Sequence, residues 1–242
     1  MNARPTDKRA GPPEISTSED RTMKTLNMKI TTSLALRMGG VCLSMLAAAA
    51  HAEPAVIPFE THAAFFSSEM HMKDAIDPQV FVKDAAGKAG VGPQQITHEA
   101  GLRNPRVTDA PSMPIFNARG AALSMSLGEW LGPQGEAVLT PRDDGKETIS
   151  VILSRLVPHG RYSLFENHFD QKPIGFTPLD GKGVDNNFTA DARGQAIVTV
   201  LAPAALTHDN AVLVVYHSDG KTHGKVRGNP GVDAHHQLIA RP

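Results

Sequence analysis

The chain has 242 residues, with 24 Lys and Arg against 25 Asp and Glu and a net charge of −1. Residues 1–52 hold seven of the basic and four of the acidic side chains, so the remainder carries 17 basic against 21 acidic residues with no basic block. That balance argues against a nucleic-acid partner, which needs clustered Lys and Arg. The single cysteine, Cys42, lies early, so disulfides, thiolate zinc sites and cysteine nucleophiles are excluded from everything after it.

Lys24, Lys29 and Arg37 precede an apolar stretch, Met38 to Ala50, that ends in Ala50-His51-Ala52. This is the charged, apolar and small-x-small order of a signal peptide cut after Ala52. The expectation is a periplasmic or secreted protein beginning at Glu53, with residues 1–52 as leader and signal peptide. The charged, proline-bearing leader before Met23 is unusual for such a signal, and Met23 or Met28 would each start a normal one. The apolar run is roughly a dozen residues, short of the ~20 that span a bilayer, so no stable membrane span is expected after cleavage.

From Glu53 to Pro114 short apolar runs, Ala63-Ala-Phe-Phe66 and Val80-Phe-Val82, sit among Gly, Pro and polar residues. This pattern predicts an irregular N-terminal arm, 53–114. Met70-His71-Met72 offers soft-metal donors but reads more simply as surface. Gly87-Lys-Ala-Gly-Val-Gly92 lacks the strand and helix that frame a phosphate loop.

Beyond Ile115 the hydrophobic period becomes two, broken regularly by Gly, Pro and Asp. Strands are expected at 121–130, 136–140, 148–156, 161–169, 188–191, 195–201, 211–217 and 237–240. Ile149, Val151 and Leu153 alternate with Ser150, Ile152 and Ser154, as in an antiparallel sheet with one wet face. Asp143-Asp-Gly145, Asp191-Ala-Arg-Gly194 and Asp219-Gly220 supply turns. The expected fold is an all-β sandwich over 115–242, with folding stability residing there and Trp130 and Tyr162 as core plugs.

Asn187-Phe-Thr-Ala-Asp-Ala-Arg-Gly-Gln-Ala196, the strand Val212-Leu-Val-Val215, and Gly228-Asn-Pro-Gly231 before Leu238-Ile-Ala240 resemble the second half of copper/zinc superoxide dismutases. The resemblance covers roughly the last 90 residues and implies an antiparallel Greek-key β-sandwich, superoxide dismutase-like or more broadly immunoglobulin-like. It does not carry the family's metal site. The Gly-x-His-x-His strand that supplies two copper ligands there corresponds to Gly160-Arg-Tyr162-Ser-Leu164, and the zinc ligands would fall on Gly181 and Val184. The late copper histidine would fall on Tyr216, and the active-site arginine on Asp233. Fold alone does not confer the activity.

Six histidines lie in the last 75 residues, and imidazole is the commonest ligand in a thiol-free exported protein. The candidate ligands for copper or zinc are His168, His217, His223, His235 and His236. Their convergence turns on the loop after His217. A two-residue Asp219-Gly220 hairpin would put His217 and His223 on opposite faces, whereas a five-residue loop, Ser218 to Thr222, would set them side by side. Ser154, Ser163 and Ser218 have no nucleophile-elbow context, and Asp180 to Asn187 misses the calcium-loop pattern and reads as a turn. Two functions follow as expectations. One is a non-enzymatic binding or envelope-associated module with a protein partner in the cell envelope. The other is a periplasmic copper- or zinc-binding protein using its His-rich loops, with a superoxide dismutase-like metalloenzyme behind both.

Overall fold

A computed structural model describes residues 53–242, so the expected signal peptide lies outside the described residues. Ten strands build two antiparallel sheets. β1 (Ala55–Pro58) and β2 (Glu60–Thr61) lead into helix α1 (His62–Glu69), and helix α2 (Leu127–Leu131) precedes β3 (Gln134–Pro141) and β4 (Glu147–Ser154). β5 (Arg161–His168), β6 (Gly175–Pro178) and β7 (Asn187–Thr189) follow. β8 (Ala196–Ala202), β9 (Asn210–His217) and β10 (Ala234–Ala240) complete the set. Sheet one has the order β1-β3-β4-β8; sheet two runs β6-β5-β9-β10-β2, with β7 also pairing β5. The chain crosses from β4 to β5, back from β7 to lie beside β4 as β8, and over again to β9 beside β5. These crossings make the expected Greek-key sandwich.

The period of two in β4 acts as the sequence predicts. Ile149, Val151 and Leu153 are fully buried between the sheets, while Ile152 is 39% exposed on the outer face. Tyr162 and Trp130 plug the interior, and the Tyr162 hydroxyl accepts the Val157 amide at 2.9 Å. The segment expected as one strand over 121–130 divides instead. Strand Ala122–Ser126 gives way to α2 because Ser126 and Glu129 form a reciprocal capping box, which satisfies two orphan amides and favours a helix start.

The N-terminal arm is irregular over most of its length, yet it belongs to the same compact unit as the sandwich. β1 pairs with β3 through Ala55↔Leu139 to Pro58↔Glu136, and β2 pairs with β10. Val80 and Val82 enter the main core while Phe81, between them, packs with Ile96, Leu102 and Ala118 in a second cluster. Residue 115 is therefore no boundary of the hydrophobic core, contrary to the expectation that stability resides beyond it. Val80-Phe-Val82 is visible as an apolar run, but three consecutive apolar residues have no period that shows which of them faces the sandwich. A chain lacking residues 53–110 should lose its cooperative thermal transition, and Phe81→Ala alone should cost about 3–5 kcal/mol in urea unfolding. A sharp transition of the shortened chain near the parent's Tm would refute this.

Candidate metal centre

Sheet two presents its inner face to the core and its outer face to α1 and to the long connection over residues 218–233. β5 and β9 run side by side, with Arg161↔His217 at one end and His168↔Asn210 at the other. Along β9, Leu213, Val215 and His217 share the outer face, and Ser163 of β5 shares it with them. There Ser163 Oγ and His217 Nε2 meet at 2.7 Å.

β9 ends at His217 and β10 begins only at Ala234, so the connection over 218–233 is longer than either the two-residue hairpin or the five-residue loop expected. Its first turn closes with the Gly220 amide on the His217 carbonyl at 3.2 Å, and Gly220 takes the positive φ of +71° that the turn requires. The chain then returns His223 over His217, with ring centroids 5.3 Å apart. Two glycines permit this return. A Cβ on Gly183 would meet the Gly224 carbonyl carbon at 2.6 Å, and one on Gly228 would meet Asp233 Oδ1 at 2.6 Å and the His223 ring at 3.1 Å. The Asp180 carboxylate holds the neighbouring turn by accepting the amides of Lys182, Gly183, Val184 and Asp185. Its oxygens are thus spent on backbone, in keeping with the reading of this segment as a turn.

His217, Asp219 and His223 each offer a donor atom such that all three lie within 4.8 Å of one another. His223 Nε2 stands 3.4 Å from Asp219 Oδ2 without a hydrogen bond. Two donors held at ordinary zinc distances on a tetrahedral ion are separated by roughly the same 3.4 Å. His217 Nδ1 is buried with no hydrogen-bond partner. When its Nε2–H donates to Ser163, the lone pair falls on this unpartnered Nδ1, the arrangement that orients a ligating imidazole. Burial first, then the neighbouring His223, pulls the His217 pKa down to about 4, against the opposing pull of Asp219 and Asp233. His217 therefore keeps its lone pair at neutral pH.

The structure brings together two of the five histidines expected as ligands, His217 and His223. His168 is the clearest correction. It sits at the far end of β5, roughly 23 Å from His217 at strand rise, with Nε2 on Thr177 Oγ1 at 2.8 Å and Nδ1 on Asn210 at 3.2 Å. His235 points into the sandwich and spends both nitrogens, Nδ1 on the Gln79 carbonyl at 2.9 Å and Nε2 on Ser218 Oγ at 3.0 Å. His236 returns to the outer face opposite Val215, but its Nε2 takes the Arg227 guanidinium at 2.6 Å. Asp219 is the candidate donor that sequence reasoning missed, because an Asp before Gly reads first as a turn residue. The spacing His217-x-Asp219-x-x-x-His223 was its available signal.

Comparison with known proteins gives no matching family model, no matching curated protein and no matching solved structure.

Four buried histidines make the fold acid-sensitive. Burial lowers His62 to about 3, His217 and His235 to about 4, and His236 well below the ordinary imidazole value. The unfolded chain takes these protons near pH 6.5, so the stabilisation is complete above that pH and is lost as pH falls towards 4. Asp77, pushed up to about 6 by burial, works in the opposite sense as pH falls below 6, and Glu60, Glu147 and Glu166, raised less by burial, join it, but the histidine shifts are the larger set. Tm should therefore fall by on the order of 10 °C between about pH 7 and pH 4.5. A Tm that rises over this range, followed by circular dichroism, would show that the buried carboxyls dominate.

Proposed function

We propose that this is an exported metal-binding β-sandwich protein that holds one divalent transition-metal ion, zinc or copper(II), through His217, Asp219 and His223. The observation that carries the reading is the unpartnered, buried Nδ1 of His217 beside a second imidazole and a carboxylate at ligand spacing. Two imidazoles and one carboxylate suit either ion, and three protein donors leave a fourth position open for water or a carrier's ligand. His223 and Asp219 are half-buried, which is consistent with loading and release from solvent. Export rests on the expected signal peptide. The superoxide dismutase-like relation is proposed for the fold alone, supported by the Greek-key crossings. Tyr162 and Leu164, at the positions of that family's paired copper histidines, are fully buried in the core, which speaks against dismutase activity.

A second reading, a non-enzymatic module with a partner in the cell envelope, draws on the outer face of sheet one. There Val56, Ile152, Ile197 and Leu201 are 58, 39, 78 and 45% exposed, and Ile152 and Ile197 are direct cross-strand partners.

Titration of metal-free protein by calorimetry tests the metal reading. One site per chain is expected, tighter for Cu(II) than for Zn(II). His217→Ala and His223→Ala should each abolish it, while His168→Ala should leave it unchanged. Ser163→Ala, which removes the orienting hydroxyl but no ligand, should weaken binding about 10- to 100-fold. No stoichiometric site in the parent, or equal loss with His168→Ala, would sink the proposal and leave the module reading.

A further inference from the structure

A second polar constellation lies on the same outer face, two residues along β9 from His217, where no acidic side chain takes part. His236 Nε2 meets Arg227 Nη1 at 2.6 Å. A guanidinium only donates, so Nε2 is the acceptor and the His236 proton sits on Nδ1. That N–H is buried without a hydrogen-bond partner. A separate chain of bonds fixes His62. The His236 amide donates to Gln79 Oε1 at 3.2 Å, so the Gln79 amide nitrogen faces Gln94 Oε1 and donates to it. The Gln94 amide nitrogen in turn donates to His62 Nε2 at 3.3 Å. His62 must therefore also carry its proton on Nδ1, and this N–H too is buried and unpartnered.

The two rings stand edge to face with centroids 5.0 Å apart, and both residues are at least nine-tenths buried. Arg227 lies flat on Phe176, its guanidinium carbon 3.3 Å from the ring centroid. Among the described residues no carboxylate pairs with it, and burial pulls its pKa down to about 10. Gln94 and Gln95 hold φ of +55° and +61°, a strained conformation kept at the point where Gln94 orients His62. Every free valence in this cluster is thus a donor, and its one charge is positive and without a counter-ion. A buried donor without an acceptor costs about 1–3 kcal/mol, and a half-buried cation without a counter-ion adds to it, so the set lacks one particular group, an anionic acceptor.

We propose that His62, His236 and Arg227 form a receptor for a small oxyanion, a carboxylate, phosphate or sulfate group, which accepts the two Nδ1–H bonds and compensates the guanidinium. The receptor shares the 218–233 loop with the candidate metal centre but none of its three proposed donors, His217, Asp219 and His223.

The test uses metal-free full-length protein titrated with inorganic phosphate, with sulfate, acetate and chloride in parallel. Histidine side-chain 15N–1H spectra read the result. Saturable downfield shifts of the His62 and His236 Nδ1–H signals are expected with the oxyanions and not with chloride. Arg227→Gln should weaken phosphate binding at least about tenfold. Arg227→Lys, which keeps the charge but loses the fork, should fall between. His217→Ala should bind phosphate like the parent, so that failure of the metal centre leaves this site standing. Unmoved Nδ1–H signals in the parent up to tens of millimolar phosphate would overturn the proposal. So would an equal response to chloride, or unchanged affinity in a folded Arg227→Gln.

Discussion

A single buried carboxylate ties the molecule together. Asp77 is 2% exposed and accepts the Trp130 indole N–H at 2.7 Å, the Gln79 amide at 2.7 Å and the Val80 amide at 3.2 Å. Three donors on one carboxylate fix the backbone from 77 to 80 against α2. That placement sends Val80 into the core and sets the Gln79 carbonyl against His235 and its side chain against the His236 amide. Gln237 then closes the circuit by donating to the Trp130 carbonyl at 2.9 Å. The arm, α2 and β10 thus depend on one another through polar groups that water cannot reach, and such networks are costly to leave half made.

The β-bulge between Val214 and Val215 serves the same end of the fold. Adjacent residues of a strand face opposite sides, so His235 and His236 cannot act together. One clamps the arm inside the sandwich; the other belongs to the outer layer. The register shift leaves Gln237 as an extra residue, so that Leu238, opposite Val214, returns to the core although His236 two residues earlier faces out.

The sheets were largely legible in the sequence, because β4 carries clean alternation, β8 and β9 are short apolar runs, and turns bearing Asp and Gly bound them. β1, β2 and β6 were not, since strands of two to four residues beside prolines have no period to read. α2 was hidden inside an apolar run, although Ser126-x-x-Glu129 is a helix-start signature. For the candidate centre, His217 and His223 were visible as residue types, and the decision between hairpin and wide loop was the part that spacing left open. His62 and Arg227 carried no signal at all. They are brought together only through His236, which the His62 ring meets edge to face and Arg227 donates to, across positions 165 residues apart in the chain.

The proposed ligands, by contrast, are all local. His217, Asp219 and His223 fall within one heptapeptide, and closing so short a loop costs little chain entropy. A centre of this kind does not wait for distant segments to dock. On the proposed reading the peptide would chelate an ion as soon as its own turn forms, and only the Ser163 hydroxyl and the burial of His217 would be added when β9 pairs with β5. Capture of the ion and completion of the sandwich would then be separable events in the life of the chain.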